Sequence, residues 1–228
     1  MTRNNLLQWC MVTIAVIAAL SNVHAQSGKK GGGSISFKVT RFDPLDRPPP
    51  EFIVGKKGAG IEVKIPLTYI AGPFKTTLRE GGYLDFWQTG GDKPEISIRI
   101  GKEERKNLLL VFFPSKEGFS ILKINTAQNR FKGGDRYIVN ATNSDIALKL
   151  GNMNPLLVNA NKTGILHAPE KKSALPVQIK QREKEDWRLV STENWYFDRR
   201  FRKFLFIYHS SKSSAILFHG VSERLPGT

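Results

Sequence analysis

Cysteine is almost absent from this chain. The only one, Cys10, sits in an apolar N-terminal stretch. Beyond that stretch, structural disulfides, thiolate metal ligation and thiol catalysis are excluded. Lipid attachment to a cysteine at a processing point is excluded with them. Long hydrophobic runs are missing too, apart from "MVTIAVIAALS" near the start. That run is short for a membrane span and no stop-transfer run follows it. Preceded by Arg3 and followed by "NVHAQS", with Val23 and Ala25 as small residues before the cut, it reads as a signal peptide over 1–25. An uncleaved anchor is the alternative. The mature chain is expected to be exported, periplasmic or extracellular, with no transmembrane span.

Catalytic motifs are lacking as well. There is no Gly-x-Ser-x-Gly, no His-Glu-x-x-His and no phosphate-binding loop. Three His remain after the leader, His167, His209 and His219. The last two flank one predicted hairpin, with Glu223 or Asp198 as conceivable third ligands. Without a spaced ligand motif, two strand-end imidazoles are the preferred reading and no metal or cofactor is expected. The acids sit mostly in turns beside Lys or Arg, as in "GKEERK" and "QREKED", which suits solvated loops. A pair of carboxylates for polysaccharide cleavage would have to come from distant strands. Nothing positive marks an enzyme.

Helical periodicity is the fourth absence. No window of twelve residues carries a helical stripe, and the nearest, "KKSALPVQIKQREKEDW", is broken by Pro176. Instead, short β-rich runs recur: "SISFKVTRF", "IEVKIPL", "YLDFW", "EISIRI", "LLLVFF", "RYIVNAT", "DIALKL", "FLFIY" and "SAILFH" among them, parted by Gly, Pro, Asn and Ser. The fold class is all-β. A Gly-rich tether, 26–34, leads into it.

Two of these runs match. "KEERKNLLLVFFPSKEGFSIL" and "DRRFRKFLFIYHSSKSSAILF" align without a gap, 96 residues apart, and "SFKVT" and "RYIVN" correspond at an offset of 100. Either the chain is duplicated, or β-hairpins simply resemble one another. Duplication predicts two tandem Ig-like β-sandwich domains, 35–126 and 127–228, of about seven strands each. One larger sandwich is the alternative. "LLLVFF" and "FLFIY" are too apolar for a sheet with one wet face, so both are expected to be covered on both sides.

Charge is the clearest excess. Without Arg3 the chain holds 34 Lys and Arg against 20 Asp and Glu, and the surplus is spread over both halves. A diffuse surplus favours polyanions in general and argues against one dedicated nucleic-acid groove. Locally, "DRRFRK" crowds Arg199, Arg200, Arg202 and Lys203 beside Trp195, Tyr196, Phe197 and Phe201. Arg forks grip carboxylate, sulfate or phosphate, and aromatic faces stack on sugars. These residues, Trp195, Phe201 and the four cations, form the candidate binding site. The plainer reading is a solvated turn whose cations blunt sheet-edge pairing.

The expected role is non-enzymatic binding of an acidic polysaccharide or another envelope component. A periplasmic assembly protein with a protein partner and a β-sandwich polysaccharide-active enzyme are the alternatives. "DRPPPEF" (46–52) is expected to be a stiff connector. Asn140 and Asn161 match the N-glycosylation pattern.

Overall fold

The computed structural model describes residues 32–43, 47–115, 118–127, 129–170, 174–210 and 215–227. The signal segment, most of the tether and the second Ser-Lys turn lie outside them. The described residues form sixteen strands and no α-helix. The first eight are β1 (Ser34–Arg41), β2 (Glu51–Val54), β3 (Ile61–Lys64), β4 (Ala71–Thr77), β5 (Tyr83–Trp87), β6 (Ile96–Arg99), β7 (Leu108–Ser115) and β8 (Gly118–Asn125). The second eight are β9 (Arg136–Asn140), β10 (Ile146–Leu150), β11 (Leu156–Val158), β12 (Thr163–Leu166), β13 (Ala174–Glu183), β14 (Asp186–Tyr196), β15 (Phe201–His209) and β16 (Ile216–Arg224).

These strands build four sheets of four. The first half has β4-β1-β7-β8 and β3-β2-β5-β6, and the second has β12-β9-β15-β16 and β11-β10-β13-β14. Adding eight to every strand of the first half reproduces the second. In each half the central pair of one sheet is parallel, β1 on β7 and β9 on β15, within an otherwise antiparallel ladder. An unusual pairing repeated in the same place is not generic hairpin similarity.

Three apolar clusters order the layers. One joins the two sheets of the first half through Phe37, Phe52, Phe86, Leu108 and Phe112. Another joins those of the second half through Ile138, Leu148, Ile179, Trp195 and Ile207. The third lies between the halves, with Leu109, Val111 and Ile124 facing Val139, Phe204 and Phe206. The sheets of β7 and β15 are therefore the inner layers of a four-layer stack. Both strands are covered on both faces, by the sandwich core and by the other half. Along β7, Leu108, Leu110 and Phe112 turn one way and Leu109 and Val111 the other, as a period of two requires.

Several local expectations change. Each half has eight strands, not seven, because β2, β11 and β12 are too short to show clear alternation. The "DRPPPEF" connector runs directly into β2. The stretch from Asp186 to Tyr196 forms one long strand, β14. Pro176 sits inside β13, one residue outside its ladder with β10, so its missing N–H interrupts no bond there. Most consequential is the register. The five parallel pairs from Phe37–Leu108 to Arg41–Phe112 correspond to those from Arg136–Lys203 to Asn140–Ile207. The next amide repeats as well, Phe42 N donating to Phe112 O at 2.9 Å and Ala141 N to Ile207 O at 2.8 Å. The gapless sequence match set Leu108 on Phe204, one residue away from this equivalence. In a strand, a slip of one reverses every side chain.

Candidate functional site

The "DRRFRK" stretch is a link between two sheets. It crosses from β14 in the outer sheet of the second half to β15 in the inner one. The turn at 132–135 packs tightly beneath this crossover. A Cβ on Gly133 would lie 1.9 Å from the carbonyl oxygen of Arg199, so only glycine fits there.

The crossover sends its cations to different places. Arg199 is exposed, and its Nη2 donates to the Glu170 carbonyl at 2.7 Å. It lines an open depression of about 550 Å³ with Lys132, Asp135 and His167. Arg200 is exposed and forms a fork with Asp198, Nη2 to Oδ2 at 2.6 Å, with its guanidinium 5.9 Å from the Phe201 ring. Phe201 itself is half-buried. Arg202 belongs to no exposed cluster. Its residue is 3 % exposed, turned toward the first half. There its Nε bonds Glu223 and its Nη1 donates to the carbonyls of Thr126 at 2.6 Å and Phe131 at 2.9 Å. Lys38, from β1, bonds the same Glu223 carboxylate. This trio, buried at Arg202 and Glu223 and half-buried at Lys38, fastens the two inner sheets together. Burial pushes the Glu223 carboxyl up, but the bonds from Arg202 and Lys38 hold it below its ordinary value.

Lys203 and Trp195 do come together, around a residue that local charge density did not mark. Successive strand residues point to opposite faces, so Lys203 turns away from Arg202, toward the second sandwich core. Its ladder partner is Arg136, the first residue of β9. Arg136 is 7 % exposed, with its guanidinium carbon over the Trp195 ring at 4.0 Å and near Phe197 at 5.1 Å. Its Nη2 donates to the Tyr196 carbonyl at 3.2 Å, while its buried Nε has no partner. The two cations line a cleft of about 270 Å³, open between edge strands β14 and β16, with Glu193, Asn194, Tyr196 and Phe218.

Charge in this cleft is only partly compensated, by the Glu193 carboxylate at its wall. Among the described residues neither Arg136 nor Lys203 is ion-paired. Burial lowers the Arg136 guanidinium to about 10, against a weaker upward pull from Glu193. Burial also lowers Lys203, and the charge of Arg136 lowers it further. Glu193 does not neutralise the pair directly. Its Oε2 accepts the Trp195 indole N–H at 2.9 Å and its Oε1 the Ser191 hydroxyl at 3.0 Å, so it fixes the aromatic floor. Like charges side by side on neighbouring strands destabilise a sheet. In the first half, the equivalent ladder positions hold Phe37 and Leu108, 1 % and 2 % exposed, beside a cavity of about 270 Å³. The scaffold accommodates two hydrophobes there, and the second half carries two cations instead.

The remaining sequence candidates are dispersed. His209 and His219 are not opposite each other: His209 faces Ile216 and His219 faces Phe206. His209 meets Asn143 Oδ1 at 3.1 Å, and His219 meets the Leu67 carbonyl at 3.1 Å. No cluster of three metal-ligating side chains occurs among the described residues. Asn140 is 1 % exposed, and its Nδ2 donates to the carbonyls of Ser144, Val158 and Asn159, so it cannot accept a glycan in the folded protein. Asn161 is exposed, at a positive φ of 57°. Among the described residues, no helix is long and apolar enough to cross a membrane. No protein-family model matches the chain, and no curated protein shows significant similarity to it.

Proposed function

We propose that this is an exported binding protein for an acidic polysaccharide, and that the Arg136–Lys203 cleft receives one anionic group of the ligand. Export rests on the N-terminal pattern. Binding rests on one observation: two cations outside any ion pair, Arg136 buried and Lys203 half-buried, stand where the first half buries Phe37 and Leu108. Such a pair costs stability in the empty protein, and an entering carboxylate or sulfate removes that cost. An arginine fork beside a lysine suits a charged oxygen cluster. Asn194 and Tyr196 at the rim offer an amide and a phenol to neighbouring hydroxyls.

Retention on alginate or heparin resin across a salt gradient tests this reading. Lys203→Gln should weaken binding about tenfold, the scale of one charge-assisted hydrogen bond. It should also flatten the salt dependence. Lys64→Gln is the control, because Lys64 pairs with Glu51 on the far outer sheet at 2.9 Å and carries the same charge. Equal losses from both variants would mean that overall charge alone drives retention, and the cleft would be abandoned.

A further inference from the structure

We infer that the acidic polysaccharide continues from the cleft along the outer face of the β11-β10-β13-β14 sheet, so that the protein holds an extended chain and not a single anionic group. This rests on the cleft being the ligand's anchor. Asn194 and Tyr196 line the cleft, yet by register they stand on the outward face of β14, opposite Pro176 and Ala174. The cleft therefore opens directly onto that face.

The face is unusually apolar for one turned to solvent. Among the described residues seven large hydrophobic side chains are exposed, and four of them, Leu157, Trp187, Leu189 and Tyr196, lie here. Cations are interleaved with them. One row across the sheet reads Leu157, Ala147, Lys180, Leu189, and the next reads Lys149, Gln178, Thr192. Lys149 and Lys180 have no carboxylate partner among the described residues, whereas Arg182 and Arg188 are engaged by Asp145 and Glu183. The outer sheet of the first half differs. Its outward aromatics are already capped, Trp87 by Lys57 at 5.8 Å and Tyr83 by Arg79 at 4.7 Å.

Alternating apolar and cationic positions on a rigid sheet match a sugar polymer that alternates ring faces with carboxylates. Apolar ring faces rest on Trp187 and Tyr196, and the lysines take the charge. A bilayer would instead demand a contiguous apolar surface, and here each row is broken by Lys or Gln. From Trp187 to Tyr196 the strand spans about 30 Å, enough for several sugar units.

Calorimetric titration with uronic-acid oligomers of two, four and eight units tests this inference. Affinity should climb at least tenfold from dimer to octamer. Trp187→Ala combined with Lys180→Gln should remove that climb and leave dimer binding intact, while Lys203→Gln lowers dimer binding. An unchanged thermal midpoint confirms that the surface variant is folded. Equal affinity at all lengths, or a length effect that survives the double substitution, overturns the extended path. Length-independent uronate binding together with capture by phosphatidylglycerol vesicles, lost in the double variant, overturns it in favour of a lipid surface. If the native protein fails to bind even the octamer, the cleft itself is refuted along with the path.

Discussion

The two halves of this protein share one strand order and differ at a single pair of ladder positions that matters most. Both pairs line a cavity of about 270 Å³, but in the first half they are Phe37 and Leu108, and in the second Arg136 and Lys203 make it charged. A scaffold that folds with the hydrophobes has no structural need of the cations. The difference therefore marks where stability was given up in the second half, and such concessions collect at binding sites.

The comparison breaks most sharply if the first half is made to imitate the second. Leu108→Lys places a lone charge at a position only 2 % exposed, and destabilisation beyond about 4 kcal/mol is expected in guanidinium denaturation. A well-folded variant would show that the first half is equally tolerant of charge and that the contrast is false. Next in size is the fastening between the halves. Glu223→Gln leaves the buried Arg202 without its counter-charge, a loss of about 3–5 kcal/mol. Its pH dependence has a definite sign. Because the Glu223 carboxyl is held below its ordinary value, its contribution is complete above the unfolded pKa of about 4.3 and fades as pH falls through the lower folded value. Acid melts of Glu223→Gln should lack that limb.

A smaller effect of opposite direction is expected when the second half is made to imitate the first. Lys203→Leu should raise stability, by roughly 0.5–1 kcal/mol because the half-buried amine is screened, and should weaken anion binding. Lys203 titrates below its ordinary value, so the folded protein sheds this proton first. Stability from this group then rises with pH toward the unfolded value near 10.4, while anion affinity falls over the same window. Lys203→Leu should flatten both curves, and an unaltered affinity profile would remove Lys203 from the site. Smallest of all, Arg199→Ala with Arg200→Ala should leave the thermal midpoint unchanged and trim retention slightly, since both side chains are exposed.

Much of the architecture was legible because period-2 patterning and turn residues are local signals. The two similar runs of strands and the doubly covered strands β7 and β15 follow from it, whereas both sequence matches, 100 and 96 apart, fall one residue off the ladder equivalence of 99 and 95. Side-chain direction was less legible. "DRRFRK" reads as one cationic patch, yet Arg202 and Lys203 are adjacent strand residues and must face opposite layers. Arg136 carried no local mark at all, because it lies in "KGGDR", far from the other cations in sequence. Only its pairing with Lys203 gives it meaning.

The amino-acid order by itself determined an all-β chain, free of disulfides, strongly basic and built from two similar runs of strands. Those properties depend on composition and on the two-residue period, which each short segment carries within itself. Tertiary structure alone decided which cations remain available. Arg202 was consumed by Glu223, and Arg136 was stacked on Trp195 beside Lys203 without an ion pair. That outcome depends on a one-residue difference in register between distant strands, and a strand's register is set only by the partners against which it packs.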